Sequence, residues 1–254
     1  MYLRYSLFSI LFILIQSLPT LADMDKAERD LINKDFDAAY DEFIAHANNG
    51  NARAQYVIGT MYHRGEGTIT DVPEAIKWLT KAADQNYVKA QYSLGYMHLL
   101  GNVIPKDLVE AQKWLILAAE NDDPQSQHFL ALTYMYKQYG PKIDIIKALK
   151  FLTQAAENGY NDSQYMLGQI YENGINVPVD YEKAGMWYRK SADQEDAGAM
   201  LGLARLYMGG KGVPKDFAIA IEHASNSANL GNPDAFEAIS HRARKDAVFA
   251  SLCE

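Results

Sequence analysis

The chain has almost no cysteine. Of its 254 residues only Cys253 is a cysteine, so the chain cannot form an internal disulfide. It is also poor in positive charge, with 24 Lys and Arg against 32 Asp and Glu and a formal net charge of −8. Because affinity for phosphate requires clustered Lys and Arg, nucleic acid is not expected as a partner.

The apolar stretch at the N-terminus is too short for an ordinary membrane span. It runs from Leu7 to Ile15, follows a single basic residue, Arg4, and is followed by Pro19 and a small-residue site that ends at Ala22. This order is typical of a secretory signal peptide, so we expect residues 1–22 to be removed. An uncleaved anchor is the alternative, although a span needs roughly 20 apolar residues. The sequence therefore predicts a periplasmic or secreted protein without stable membrane insertion after cleavage.

The chain lacks the short motifs that mark common catalytic and cofactor sites. No S-x-x-K, G-x-S-x-G, H-E-x-x-H, C-x-x-C, G-x-G-x-x-G or P-loop pattern occurs in it. Six histidines could suggest a metal site, but His98, His128 and His223 occupy positions that aromatic residues hold elsewhere in the chain. We therefore expect no enzyme activity, no metal site and no cofactor.

What the sequence does contain is an internal repeat. EAIKWLTKAAD at Glu74 returns as EAQKWLILAAE at Glu110, and looser copies follow, in steps of 36, 37, 36 and 36 residues. A second pattern, which begins as AQYVIGTMY at Ala54, keeps the same period. A fixed period of this length indicates a solenoid, in which each two-helix unit buries its apolar face against its neighbours.

Each unit is predicted to hold two helices, A and B. In the first unit residues 52–64 form helix A and residues 72–85 form helix B, with apolar residues at helical spacing. Glycine suits the left-handed residue that ends a helix, and aspartate suits the residue that begins one. The predicted ends of helix A are Gly65, Gly101, Gly174 and Gly210, and the predicted starts of helix B are Asp71, Asp107, Asp144, Asp180 and Asp216.

The three tryptophans occupy one position of helix B. Trp78, Trp114 and Trp187 share it with Phe151 and His223. We interpret these side chains as wedges between stacked units, and an aromatic box for a cofactor is the alternative interpretation.

The combined pattern AQYVIGTMYHRGEGTITDVPEAIKWLTKAADQNY resembles the Sel1-like repeat, a relative of the tetratricopeptide repeat. The resemblance implies an all-α fold, a right-handed alpha-solenoid of two-helix repeats that serves as a scaffold or adaptor. The predicted segments are a helical half-repeat at 23–51, five repeats at 52–87, 88–123, 124–160, 161–196 and 197–232, and a C-terminal capping helix at 233–254. In the third repeat Lys137 replaces the glycine and one residue is added, so its A–B connection should be irregular.

Some positions of helix A are not fixed by the repeat pattern. In the first repeat these are Val57, Thr60 and Arg64, and in the fifth repeat they are Gly202, Arg205 and Gly209. In the related repeats helix A lines the concave surface, so these positions would form a continuous strip there. The predicted partner-binding residues on this strip are Tyr96, Leu100, Phe129, Leu132, Tyr136, Met166, Gln169 and Arg205. Exposed apolar surface of that extent is typical of a partner site, although Phe129 and Met166 could instead pack between neighbouring A helices.

The leading functional prediction is a non-catalytic interaction protein that holds a protein or peptide along the concave face. Cysteine-rich exported relatives have been linked to β-lactam binding or hydrolysis, which makes a β-lactam-binding enzyme one alternative. Those relatives staple each unit with a cysteine pair that this chain does not have. Binding of an envelope polymer is a further alternative.

Overall fold

The structure is a computed structural model that describes residues 21–140 and 142–235. The described residues form twelve α-helices, further helical residues at 233–235 and no strand. Their bounds are α1 Leu21–Ile32, α2 Phe36–Asn48, α3 Ala52–Arg64, α4 Val72–Asp84, α5 Val88–Leu100, α6 Leu108–Ala119, α7 Pro124–Met135, α8 Ile145–Glu157, α9 Asn161–Asn173, α10 Tyr181–Ala192, α11 Ala197–Gly209 and α12 Phe217–Asn229. From α3 onward odd numbers are A helices and even numbers are B helices, which confirms the predicted all-α solenoid of helical repeats.

The chain divides into two compact units between Ala118 and Ala119. In the first unit α2 packs on α1 and α3, and α4 packs on α3 and α5. In the second unit each helix from α7 to α12 packs on the next, and the A helices α9 and α11 also contact each other. Consecutive helices therefore bury their apolar faces against one another in both units.

The connections between helix A and helix B share most of their local hydrogen bonds. Helix A of repeats one, two, four and five ends at a left-handed glycine, for example Gly65 at φ 71° and Gly174 at φ 69°. The aspartate that precedes each B helix accepts from a backbone N–H of its first turn, as in the 3.0 Å bond from Glu74 N to Asp71 Oδ1. The backbone N–H of the same aspartate donates to helix A, as from Asp71 to Tyr62 O at 2.9 Å. These bonds fix the turn that returns the chain to the stack.

The third repeat ends its A helix differently. Tyr136, the residue that caps α7, is extended at φ −121° and ψ 127°, and a turn bonded from Tyr139 N to Tyr136 O follows. Gly140 then lies so close to the Thr133 carbonyl that a Cβ would overlap it. Asp144 N still donates to Tyr134 O at 2.8 Å, so the extra residue is absorbed before the turn closes.

The segment 23–51 is more than the predicted half-repeat. Two helices, α1 and α2, occupy it and pack on each other. Arg53 of α3 reaches Glu28 of α1 at 2.7 Å, so α1 lies beside the first A helix. Residues 1–20 of the predicted signal peptide, residues 236–254 of the predicted capping helix, and Cys253 lie outside the described residues.

The tryptophans are buried between helices. Trp78, Trp114 and Trp187 are 5%, 7% and 5% exposed and belong to apolar clusters. Phe151 is half-buried and packs against the cluster that contains Trp187. Lys81 and Lys190 place their ammonium groups 3.8 Å and 4.6 Å from the ring centroids of Trp78 and Trp187. No open aromatic box forms at these three rings.

A buried glutamine, unnoticed in the sequence, links successive repeats. Gln164 Nε2 donates to Ala156 O at the end of the preceding B helix at 2.9 Å, and its Oε1 accepts from Gln194 Nε2 at 2.7 Å. Equivalent bonds join Gln55 to Ala47 O and Gln127 to Ala119 O. Carbonyls at a helix end have no partner within the helix. Each of these three accepts from a backbone N–H of the following turn, and the glutamine adds a second bond that joins two units.

Candidate partner-binding site

The A helices of the second unit lie side by side. A 2.7 Å hydrogen bond between His128 Nδ1 and Ser163 Oγ joins α7 to α9. A bidentate ion pair joins α9 to α11, from Arg205 Nε and Nη2 to the two oxygens of Glu172 at 3.2 Å and 2.9 Å. Residues at equivalent positions of these three helices therefore belong to one surface.

That surface carries six of the eight predicted partner-binding residues, which we call the second-unit strip. Tyr136 is 42% exposed, Arg205 is exposed, and the remaining four are half-buried. The second-unit strip consists of Phe129, Leu132, Tyr136, Met166, Gln169 and Arg205.

The other two predicted residues lie on α5 in the first unit. Leu100 is 41% exposed at the end of that helix. Tyr96 is half-buried and stacks on Tyr92 of the same helix, with ring centroids 5.7 Å apart. Tyr96 is thus held by its own helix while part of its ring stays accessible.

Two positions that the repeat pattern left open are in fact part of the core. Val57 is only 9% exposed because it lies in one apolar cluster with Met24 and Ala27 of α1. Gly202 is buried against the ring of Tyr188, and a Cβ there would lie 2.7 Å from Tyr188 Cε2. Val57 and Gly202 therefore add no accessible side chain to the predicted strip, although Arg64 and Arg205 of the same helices are exposed.

Arg205 is not the isolated surface residue that the sequence pattern suggested. Its partner Glu172 also accepts a 2.6 Å hydrogen bond from the Tyr188 hydroxyl. Burial alone would raise the pKa of Glu172, but the bonds from Arg205 and Tyr188 outweigh it and hold the pKa below its usual value. The same bond raises the pKa of Arg205. Glu172 is therefore a carboxylate that fixes the guanidinium in place.

Gln169 takes part in the same arrangement. Its Nε2 donates to the hydroxyl of Tyr165 at 2.8 Å, and the rings of Tyr165 and Tyr188 lie 6.0 Å apart. Sequence reasoning missed Glu172 and Tyr188, although a signal existed. Tyr188 stands where the first three repeats have leucine, and Glu172 is an acid at a position that holds His63, Leu99, Met135 and Met208 in the other repeats.

The hydrogen bond between His128 and Ser163 cannot serve nucleophilic catalysis. Ser163 is completely buried, and His128 is 5% exposed. Burial lowers the pKa of His128 to about 4, with a small opposing effect from Asp162. The pair is therefore a neutral contact in the interior that links α7 to α9.

Residues 21–140 and 142–235 contain neither a metal cluster nor a membrane span. No group of three or more His, Cys, Asp or Glu side chains in these residues is arranged to hold a metal ion. None of the helices they form has the length and apolar character needed to cross a membrane.

Two solved structures with similar folds come from bacteria. The protective antigen c5321 of uropathogenic Escherichia coli, described as displaying an SLR fold, is 31% identical to this chain with a TM-score of 0.82. The match covers 91% of this chain and 50% of that protein, so this chain spans half its length. A Sel1 repeat protein from Oxalobacter formigenes is 29% identical with a TM-score of 0.75, over 87% of this chain and 88% of that one.

A curated relative matches over a shorter stretch. A Sel1-like repeat-containing protein of Acanthamoeba polyphaga mimivirus is 52% identical over 40 residues, which are 16% of this chain and 7% of that protein.

The family assignment comes from the repeats themselves. The family model described as Sel1 repeat matches residues 52–87, 88–123, 124–160, 161–196 and 197–232, which together exceed half of the chain. Proteins of this kind generally mediate protein–protein interactions. The resemblance seen in the sequence is confirmed, and the chain belongs to the Sel1 repeat family.

Proposed function

We propose that this protein is an exported, non-catalytic scaffold that holds a protein or peptide partner along its A helices. Export rests on the signal-peptide pattern of residues 1–22, with cleavage after Ala22 and a periplasmic or secreted product. Binding along the A helices rests on the family assignment and on the second-unit strip.

The observation that carries the proposal is the accessibility of side chains on adjoining A helices. Leu130, Ala131, Leu167 and Leu203 on these helices are completely buried. On the same helices Leu132, Tyr136 and Met166 keep part of their apolar surface in water. Aromatic residues and Met are enriched at the centres of protein interfaces, so Tyr136 and Met166 are of the kind that binds a partner.

The burial of Ser163 argues against its acting as a nucleophile in β-lactam hydrolysis. A serine nucleophile must reach its substrate, yet the hydroxyl of Ser163 faces His128 inside the unit and has no solvent exposure. The β-lactam alternative therefore gains no support from this pair. The mature protein should not hydrolyse nitrocefin, and turnover that a single Ser or Glu substitution abolishes would revive that alternative.

Site-specific photocrosslinking in the native cell tests the proposal. A photoreactive phenylalanine analogue placed at Tyr136 should crosslink to one discrete protein. The matched control is Met186 on the B helix α10, because its exposure of 43% is close to the 42% of Tyr136. The analogue at Met186 should give no such product.

Equal crosslinking from both positions would mean that the contacts are unspecific. A discrete product from Met186 alone would place the partner on the B helices and overturn the proposed face.

A further inference from the structure

Three polar side chains of the second unit meet between repeats four and five. Glu172 stands at a position that holds His63, Leu99, Met135 and Met208 in the other repeats. Arg205 stands at a variable position that holds Thr60, Tyr96, Leu132 and Gln169 elsewhere. Tyr188 stands where the first three repeats have leucine. All three side chains join in one hydrogen-bonded group.

Room for this group is built into neighbouring residues. The Tyr188 ring lies against Gly168 and Gly202, and a Cβ at either glycine would overlap it. Gly168 belongs to the repeat, since Gly59 and Gly95 lie as close to leucine at the same position. Gly202 is specific to the fifth repeat, where it replaces larger residues of the other repeats and leaves room for the ring. Stacking alone needs none of these changes, since the first three repeats stack around leucine at the same position.

The group leaves one side of Arg205 available. Of the five N–H groups of a guanidinium, two are used by Glu172, and among the described residues no other acceptor bonds to it. The Arg205 side chain is 49% exposed, whereas that of Glu172 is 15% exposed. Glu172 therefore holds the guanidinium from its more buried side, and the exposed part of the Arg205 side chain can bind another ligand.

The charge near those donors favours an anion. Lys211, which follows α11, acts on Glu172 as a second positive charge and lies 4.9 Å from the ring centroid of Tyr181. α7 and α11 contain no acidic residue, and the other acid of α9, Asp162, is in its first turn, far from Arg205. Arg205 and Lys211 thus outnumber Glu172, the one acid of α7, α9 and α11 at this end. The aspartates at the same end, Asp144, Asp180 and Asp216, accept from backbone N–H groups of the B helices that they cap.

We infer that Arg205 determines the specificity of the partner site by binding an acidic side chain of a peptide segment. A carboxylate matches the planar fork of N–H donors that Glu172 leaves free. Apolar residues beside that acid would lie on Leu132, Tyr136 and Met166 of the second-unit strip. This inference rests on the proposed function, because it names the chemistry of the segment that binds there.

A peptide array tests the inference without the partner itself. The probe is a random library of peptides, acetylated at the N-terminus and amidated at the C-terminus, so that every carboxylate is a side chain. The wild-type protein should select peptides in which Asp or Glu accompanies aliphatic or aromatic residues. Arg205→Gln should lose the preference for the acid and keep the preference for apolar residues.

Arg189→Gln is the matched control. Arg189 is an exposed arginine on the B helix α10, where it donates to the Tyr207 hydroxyl at 3.3 Å. This variant should keep the preference for acidic peptides. Because both variants lose one positive charge, a difference between them shows that the preference depends on contact with Arg205 and not on net charge. Thermal melting confirms that each variant is folded, and Arg205→Lys, which keeps the charge and loses the fork, replaces Arg205→Gln if that variant does not fold.

One selected peptide then supports a double-mutant cycle. Replacing its acid by the corresponding amide should weaken binding to the wild type about tenfold, which is about 1.4 kcal/mol, and should have little effect on binding to Arg205→Gln.

Failure of the inference and failure of the proposed function give different results. Selection of apolar peptides without acid enrichment, or acid enrichment that Arg205→Gln leaves unchanged, overturns the inference alone. Acid selection that requires a free C-terminal carboxylate, shown with a second library that is not amidated, also overturns it. A wild-type protein that selects no peptide overturns both.

Discussion

Acid should destabilise this protein through one buried histidine. His128 lies between α7 and α9, bonded to Ser163, with the rings of Phe129 and Tyr160 beside it at 5.3 Å and 4.9 Å. Burial lowers its pKa from 6.5 to about 4 in the folded protein. The folded state therefore keeps His128 neutral at pH values where the unfolded chain already binds a proton.

The sign and size of the effect follow from linkage. Above about pH 6.5 the residue is neutral in both states and contributes no pH dependence. As the pH falls from about 6.5 to about 4, only the unfolded chain is protonated, so the free energy of unfolding decreases. A difference of roughly 2.5 pKa units at about 1.4 kcal/mol per unit gives a loss of about 3 kcal/mol, of which about 2 kcal/mol is lost by about pH 4.5.

Urea unfolding of wild type and His128→Tyr between about pH 7 and about pH 4.5 measures this loss. Tyrosine occupies the equivalent position in repeats one, two and four, so the substitution suits the site. The variant should lose about 2 kcal/mol less than wild type over this interval. Ser163→Ala should retain the acid loss, because burial is the main cause of the shift. Parallel pH profiles for wild type and His128→Tyr would refute the reasoning.

Further predictions concern packing, the interrepeat bonds and export. Trp114→Ala should lower the free energy of unfolding by roughly 3–5 kcal/mol, since it truncates a buried aromatic, and a loss below about 1 kcal/mol would show that the ring is not a wedge. Gln164→Met should cost about 1–3 kcal/mol in denaturant melts, because it removes the bonds of Gln164 to Ala156 O and to Gln194 Nε2, and an unchanged midpoint would show that these bonds are dispensable. N-terminal sequencing of the exported protein should begin at Asp23, whereas an intact Met1 on a membrane-bound product would indicate an anchored protein.

Local chemistry explains which parts of the fold the sequence predicted. A left-handed glycine such as Gly65 and a capping aspartate such as Asp71 act within a few residues of their own position. Their spacing is therefore visible along the chain, and so is the missing glycine at Lys137 of the third repeat. The repeat period needed no further information, because each unit has the same two-helix pattern.

Contacts between repeats were harder to predict. Glu172 and Arg205 are 33 residues apart, and their pairing depends on α9 and α11 lying side by side. Val57 was predicted to be accessible because the residues that bury it belong to α1, a helix that the repeat pattern does not include. A comparison of equivalent positions would have identified Glu172 and Tyr188 as unusual, although it would not have shown that they bond to each other.

The central claim is that the partner binds to the A helices. The most direct test is calorimetric titration of the partner, once photocrosslinking has identified it, into the wild-type protein and two variants. Tyr136→Ala should keep the helicity and weaken binding at least tenfold, or about 1.4 kcal/mol, because an accessible aromatic ring of the strip is removed. Met186→Ala, equally exposed on a B helix, should bind as the wild type does. If Tyr136→Ala is folded and binds undiminished while Met186→Ala loses affinity, the partner does not bind the A helices and the account is contradicted.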